Sequence, residues 1–230
     1  MAPLVFVPGM MCDARLFVPQ ISVLSARCAV MVAALTGADS MAGLARRVLA
    51  DSPPRFALAG LSMGGIVALE VLRQAPQRVE RLALLDTNPL AETEAAKARR
   101  APQMEAAQAG RLRDVMRDEM KPNYLVDGPR KPEILDLCMQ MAEALGPQVF
   151  VNQSIALRDR PDQTDTLRGY AGKALVLCGR HDRLCPVDRH ELMHDLLANS
   201  RLDIVEKAGH LPTLEQPETT TAALIRWLEA

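Results

Sequence analysis

Short runs of apolar residues recur along the chain, and each ends in glycine or in polar residues typical of turns. Continuous apolar runs of this length favour strands that are buried on both faces, as in a parallel sheet. Between most of them, apolar residues recur at three- and four-residue intervals, which predicts amphipathic helices. The predicted strands are Leu4–Val7, Ala29–Ala33, Phe56–Leu61, Leu82–Leu85, Ala174–Cys178 and Leu202–Val205. The predicted helices are Leu16–Leu24, Met41–Leu49, Ile66–Gln74, Asp188–Leu197 and Thr219–Leu228.

This alternation of strands and helices predicts the α/β class, with a doubly wound, mainly parallel sheet of about six strands and right-handed crossovers. The pattern is interrupted across residues 88–168, where no strand is evident. Helical spacing in that segment covers Ala91–Ala109, Arg111–Met120 and Glu133–Leu145. We therefore predict one core formed by residues 1–87 and 169–230, with residues 88–168 as a helical cap inserted between two strands.

The charge balance argues against several classes of partner. The 230 residues include 27 basic and 28 acidic side chains, so we expect neither a nucleic acid nor an anionic membrane as the main partner. Aromatic residues make up 3% of the chain, too few for base-stacking platforms. No apolar run approaches the length of a membrane span. The five cysteines lack close pairs, which favours free thiols in a reducing compartment, and the cytoplasm is the expected location.

The strongest local motif is Gly60–Leu61–Ser62–Met63–Gly64, which follows a predicted strand and opens a predicted helix. This strand–turn–helix context is typical of a nucleophile elbow, where glycines give room to a serine in a strained conformation. The alternative is a glycine-rich turn whose serine caps a helix. We interpret Ser62 as the nucleophile.

A serine nucleophile needs a positioned base. His210 follows a predicted strand, at the edge where open α/β sheets place their chemistry. His190 and His194 have the four-residue spacing of a helical metal pair but no evident third ligand, and a solvated helix face is the simpler interpretation. His181 precedes the candidate acid, which departs from the chain order serine, acid, histidine. We therefore assign His210 as the base.

Two aspartates follow predicted strands and are candidates to orient His210. Asp182 preserves the chain order of serine, acid and histidine expected for this motif, and it is the preferred candidate. Asp86 is the alternative, and its other role would be to anchor the start of the cap. The expected oxyanion donors are the backbone amides of Met63, at the start of a helix, and Met10, in the loop after the first strand.

Together these residues resemble the α/β-hydrolase superfamily over most of the chain. Leu4–Gly9 is similar to its oxyanion strand and loop, Gly60–Gly65 to the elbow of esterases, enol-lactonases and cofactor-free haloperoxidases, and Gly209–Pro217 to the histidine loop of enol-lactonase-like members. The resemblance implies the triad Ser62, Asp182 and His210. It also implies a sheet without the two leading antiparallel strands of larger members, and a cap that selects the substrate.

The expected function is hydrolysis of a small carboxylic ester or lactone through an acyl-enzyme, with no cofactor and no metal. A thioesterase or a carbon–carbon bond hydrolase would use the same triad, and a non-catalytic ligand-binding member of the fold is the alternative from a different class. Either Arg158 or Arg160, where the cap returns to the core, is a candidate to bind a substrate carboxylate, although solvated surface arginines are the simpler interpretation. The substrate itself and the oligomeric state are not predicted.

Overall fold

The computed structural model describes all 230 residues and contains one six-stranded sheet in the order β2-β1-β3-β4-β5-β6. Every neighbouring pair is parallel. The strands are β1 Leu4–Val7, β2 Val30–Val32, β3 Phe56–Leu61, β4 Val79–Leu85, β5 Lys173–Gly179 and β6 Ser200–Val205. All six predicted strands are confirmed, and β4 begins three residues earlier than its apolar run because Val79 already pairs with Phe56 of β3.

Helices connect the strands and cover both faces of the sheet, which confirms the doubly wound α/β class. The helices outside residues 88–168 are α1 Val18–Leu24, α2 Met41–Asp51, α3 Met63–Gln74, α8 Val187–Leu196, α9 Pro212–Glu215 and α10 Pro217–Glu229, and those within residues 88–168 are α4 Glu94–Ala106, α5 Leu112–Asp114, α6 Lys131–Arg158 and α7 Thr164–Arg168. Alternate residues of the central strands pack on opposite faces, for example Leu58 against α2 and α3, and Ala57 against α1 and α10. Both faces of the sheet are therefore buried, as continuous apolar runs require. No helix is long and apolar enough to cross a membrane.

The segment between β4 and α7 is helical and contains no strand. Its turns at Ala107–Arg111 and Val115–Met120 are π-helical, and Gly146 interrupts α6 with a φ of 80°. Helical backbone resumes at Pro147, a position that suits proline because proline is tolerated in the first turn of a helix. The predicted helix Glu133–Leu145 is therefore extended to Arg158, which brings the second half of α6 back onto the core.

Candidate active site

Ser62 occupies a strained turn between β3 and α3. Its φ of 55° lies in the left-handed region, which costs a non-glycine residue about 1–3 kcal/mol. A Cβ on Gly60 would lie 2.3 Å from the carbonyl oxygen of Gly64, and a Cβ on Gly64 would lie 2.0 Å from that of Val7. Neither position admits a side chain, so the glycines of the motif are explained by close backbone contacts around the turn.

Hydrogen bonds from β4 and the turn after it hold the strained backbone of Ser62. The amide of Ser62 donates to Leu85 O at 2.9 Å, and the hydroxyl of Thr87 donates to Ser62 O at 2.7 Å. The amide of Thr87 in turn donates to Nε2 of His190 at 3.0 Å. Burial lowers the pKa of His190 to about 4, so its ring is neutral near pH 7 and accepts this bond.

Three side chains predicted from the sequence form one hydrogen-bonded chain at the carboxyl edge of the sheet. Nε2 of His210 lies 2.9 Å from Oγ of Ser62, and Nδ1 of His210 lies 2.8 Å from Oδ2 of Asp182. Asp182 follows β5 and His210 follows β6, and both are buried, while Ser62 is partly accessible. In this order a proton can pass from the serine hydroxyl to the imidazole while the carboxylate fixes the ring.

The loop after β5 fixes the orientation of Asp182. Its Oδ1 accepts hydrogen bonds from the amides of Leu184 and Cys185 at 2.8 and 3.0 Å, which leaves Oδ2 directed at His210. Burial raises the pKa of the Asp182 carboxyl, but the charge and hydrogen bond of His210 and the two amides outweigh burial and hold that pKa below its usual value. Asp182 is therefore ionised near neutral pH.

Asp86, the alternative acid, is buried beside the hydrogen-bonded side chains of Ser62, His210 and Asp182, but it is not bonded to the imidazole. Its Oδ1 accepts from the amide of Gly179 at 2.9 Å, and its Oδ2 has no partner. Burial, followed by the negative charge of Asp182, raises the pKa of Asp86 well above its ordinary value. The Asp86 carboxyl is therefore easier to protonate than an ordinary aspartate, and the acid that faces His210 is Asp182.

Two of the other three histidines, His190 and His194, make hydrogen bonds within the protein. Nδ1 of His190 lies 3.3 Å from Pro186 O, while its Nε2 accepts from the Thr87 amide. Nδ1 of His194 lies 2.7 Å from Oγ of Ser200, and His181 is exposed. The predicted helical pair His190 and His194 thus lies in α8 but binds two different sets of protein partners.

One group of side chains has the spacing of possible metal ligands. Asp182, Cys185 and His210 each offer a ligand atom within 4.8 Å of the others. Both oxygens of Asp182 and both ring nitrogens of His210 already take part in the hydrogen bonds described above. Occupation by a metal would break the contact between the imidazole and its carboxylate.

The two predicted oxyanion amides lie beside Ser62 and lack protein acceptors. The amides of Met10 and Met63 donate no hydrogen bond within the chain, and Met63 is the first residue of α3, where amides have no intrahelical partner. A Cβ on Gly9 would lie 3.5 Å from Cβ of Ser62, so the loop of Met10 approaches Ser62 closely. Both amides are free to bind an oxygen near Ser62.

Gln153, in the second half of α6, supports the loop that carries Met10. Its Oε1 accepts from the amide of Met11 at 2.8 Å, and its Nε2 donates to Leu35 O at 2.9 Å. Met11 has a φ of 55°, so this strained residue needs an external hydrogen-bond partner to keep its place. Sequence analysis assigned no role to Gln153, because a lone glutamine in a helix carries no signal of a contact 142 residues away.

Replacing Gln153 with alanine is expected to lower kcat about 10- to 100-fold with a smaller change in KM, because a misplaced oxyanion loop weakens transition-state binding. The matched control is Gln148→Ala, which removes an exposed glutamine bonded only to Asn152 and leaves kcat unchanged. Steady-state kinetics of the two variants checks this prediction. Equal kcat values for both variants would show that the loop keeps its geometry without Gln153.

Glu215 and Tyr124 hold the loop of His210. Oε1 of Glu215 accepts from the amide of Val126 at 2.9 Å, and Oε2 accepts from Gly209 and Leu211 at 3.0 and 3.1 Å. The amide of His210 donates to Tyr124 O at 2.6 Å. The segment before α6 and the histidine loop are thus joined by a partly buried network, of which only His210 was predicted from the sequence.

A cavity of about 660 Å³ opens onto Ser62 and His210 and is lined by both the core and the inserted helices. Of the two arginines predicted at the end of the insertion, only Arg160 lines it. Arg160 is buried, donates to Leu90 O and pairs with Glu92 at 3.2 Å. Arg158 pairs with Asp159 at the surface instead. Arg158 therefore has a carboxylate of its own, whereas Arg160 shares the carboxylate of Glu92 with Arg100.

Comparison with known proteins gives relatives by sequence and by structure. Residues 4–224 match the family model described as the alpha/beta hydrolase family. A pimeloyl-[acyl-carrier protein] methyl ester esterase of Klebsiella pneumoniae is 29% identical over 193 residues, which cover 79% of this chain and 72% of that protein. A thermophilic esterase from Thermogutta terrifontis superimposes with a TM-score of 0.91 at 26% identity, covering 100% of this chain and 90% of that one. The enol-lactonase from Burkholderia xenovorans LB400 superimposes with a TM-score of 0.88 at 20% identity, covering 100% of this chain and 92% of that one. This comparison shows a likeness of fold alone.

Proposed function

This chain belongs to the alpha/beta hydrolase family, a family of enzymes, and from that premise and the geometry of its site we propose that it is a serine esterase. It hydrolyses a small carboxylic ester or lactone through an acyl-enzyme. Ser62 is the nucleophile, His210 the general base, Asp182 the acid that orients His210, and the amides of Met10 and Met63 form the oxyanion hole.

One observation carries this proposal: Ser62, His210 and Asp182 form an unbroken hydrogen-bonded chain whose serine faces the cavity. Serine alone is a weak nucleophile, and an imidazole at hydrogen-bond distance removes its proton as it attacks a carbonyl carbon. Asp182 holds the proton on Nδ1 of His210, which leaves Nε2 free to accept. The positive charge that develops on the imidazole is stabilised by the ionised carboxylate of Asp182.

The oxyanion that forms on the substrate lies where the amides of Met10 and Met63 have no other partner. Removing one oxyanion donor in a serine enzyme costs about 10²–10³-fold in kcat, so these two amides account for a large part of the expected rate. His210 then gives its proton to the leaving alcohol. In the second half of the reaction it takes a proton from water, which attacks the acyl group on Ser62.

The comparisons support an ester as the substrate class. The relative from Klebsiella pneumoniae is named a methyl ester esterase, and the Thermogutta terrifontis structure is that of an esterase. We further propose that residues 88–168 form the cap that selects the substrate, since α4 and the turns before α6 line the same cavity as Ser62. The core is then formed by residues 1–87 and 169–230.

A fluorophosphonate probe is expected to label Ser62 of the wild-type protein, because an activated serine attacks phosphorus as it attacks a carbonyl carbon. Intact-mass spectrometry should show one adduct, and peptide mapping should place it on Ser62. The Ser62→Ala protein is the matched control and should take up no probe. A folded wild-type protein without any adduct would contradict the proposed function.

A further inference from the structure

The charged residues that line the active-site cavity are strongly unbalanced. The lining contains five arginines but only two glutamates, with no lysine and no aspartate. The chain as a whole has a formal net charge of −1, so this excess of three positive charges is local. A concave site with one sign of charge concentrates ligands of the opposite sign.

The carboxylate of Glu92 is already used within the protein. It pairs with Arg100 and, at 3.2 Å, with Arg160, and all three side chains are largely buried. The second glutamate, Glu119, is exposed and accepts a hydrogen bond from Gln103. Neither glutamate forms a salt bridge with the other three arginines that line the cavity.

The guanidinium groups of three lining arginines have no carboxylate within salt-bridge distance and donate no hydrogen bond within the protein. Arg99 lies on α4, Arg183 lies in the loop that contains Asp182, and Arg189 lies on α8. Arg99 and Arg183 are exposed and Arg189 is half-buried, which places them where the cavity meets solvent. We name Arg99, Arg183 and Arg189 the arginine rim.

Because the rim lines the cavity that contains Ser62, we propose that the substrate is an ester with an anionic group, a carboxylate or a phosphate, bound by the arginine rim while the ester lies at Ser62. This inference rests on the proposed function and names its substrate class. Guanidinium groups are always charged near pH 7 and bind carboxylate and phosphate with paired hydrogen bonds. The rim combines one arginine of the cap with two of the core.

The test compares methyl esters that differ only in their far end. The charged members are the monomethyl esters of succinic, adipic and suberic acid, and the neutral members are the corresponding methyl ester monoamides. The phosphate monoester of methyl 6-hydroxyhexanoate supplies the phosphate arm. Wild-type kcat/KM is expected to be about tenfold higher for the best charged ester than for its neutral partner, since exposed ion pairs each contribute modestly.

Substitution of the rim should remove this preference. In the triple variant Arg99→Gln, Arg183→Gln and Arg189→Gln, the ratio of charged to neutral kcat/KM is expected to fall to about one. The matched control is Arg46→Gln, which removes an exposed arginine of α2 that lies outside the cavity and has no salt bridge, and the wild-type ratio should persist. Raising the salt concentration should lower the wild-type ratio, because exposed charges are screened.

If the ratio of charged to neutral kcat/KM is larger for the phosphate ester than for the carboxylate esters, phosphate is the preferred anion. If it is smaller, carboxylate is the preferred anion. Both results support the proposal. Equal kcat/KM for charged and neutral esters in the wild-type protein would overturn it, and so would a triple variant that keeps the wild-type ratio while unfolding at the same temperature. Titration calorimetry of Ser62→Ala with monomethyl adipate and its amide makes the same comparison without turnover.

The phosphonate adduct separates failure of this inference from failure of the proposed function. If Ser62 is labelled and both classes of ester are cleaved equally, only the anion preference is wrong. If Ser62 takes up no probe and no ester is cleaved, the proposed function is wrong, and the calorimetric ratio alone decides whether the rim binds anions.

Discussion

Replacing Ser62 with alanine is expected to lower kcat for ester hydrolysis by about 10⁶-fold, and replacing His210 with alanine should do nearly as much. The two side chains act as one unit, because the hydroxyl attacks only as its proton moves across the 2.9 Å contact to Nε2. The double variant is therefore expected to be no slower than either single variant. Steady-state kinetics of the three purified proteins on one methyl ester measures this non-additivity.

The residual rate of these variants should still exceed hydrolysis in free solution, because the amides of Met10 and Met63 remain in place to bind the oxyanion. Thermal unfolding of each variant provides the control for folding. Ser62→Ala is expected to unfold near the wild-type temperature, because alanine keeps the Cβ at this strained position. A double variant whose loss equals the product of the single losses would mean that Ser62 and His210 act independently, contrary to the proposed mechanism.

Substituting Asp182 with asparagine is expected to lower kcat by up to about 10⁴-fold with little change in the fold. The amides of Leu184 and Cys185 select the oxygen of the new side chain at the Oδ1 position. Its NH2 group then faces Nδ1 of His210, which must become an acceptor. The ring proton moves to Nε2, and the imidazole is unable to take the proton of Ser62.

Asp86→Asn is the matched control for Asp182→Asn, since both positions are buried aspartates at the carboxyl edge of the sheet. The raised pKa of Asp86 favours its neutral form, and asparagine resembles that form while its oxygen can still accept from the amide of Gly179. We expect a loss of less than about tenfold in kcat. A greater loss for Asp86→Asn than for Asp182→Asn, with both proteins folded, would reverse the assignment of the acid.

The predicted parts of the molecule are those with a strong local pattern. The six strands follow from apolar runs that are long enough to be buried on both faces. The elbow follows from two glycines that flank Ser62 at fixed spacing, and their contacts with Val7 and between themselves explain that spacing. Asp182 and His210 could be predicted as neighbours because they come directly after β5 and β6, and parallel strands end at a common edge of the sheet.

The unpredicted parts depend on contacts between distant segments. Gln153 and Glu215 look like ordinary polar residues of helices, and nothing in their neighbourhood indicates that they bind the amides of loops elsewhere in the chain. The arginine rim was missed for the same reason: Arg99 and Arg189 are surface residues of helical patterns until α4 and α8 meet at one cavity. The sequence pointed instead to Arg158 and Arg160, which the structure shows to be paired with Asp159 and Glu92.

Residues 88–168 also support loops outside this segment, which limits how the protein can be recombined with its relatives. Gln153 anchors the loop of Met10, and the carbonyl of Tyr124 receives the amide of His210. A chimaera that exchanged residues 88–168 for the corresponding segment of another hydrolase would lose both anchors unless the donor supplied equivalent groups. Under the proposed function, substrate preference and the geometry of the loops around Ser62 would therefore be inherited together, and a new preference would arise more readily by point substitution at the cavity than by exchange of the whole segment.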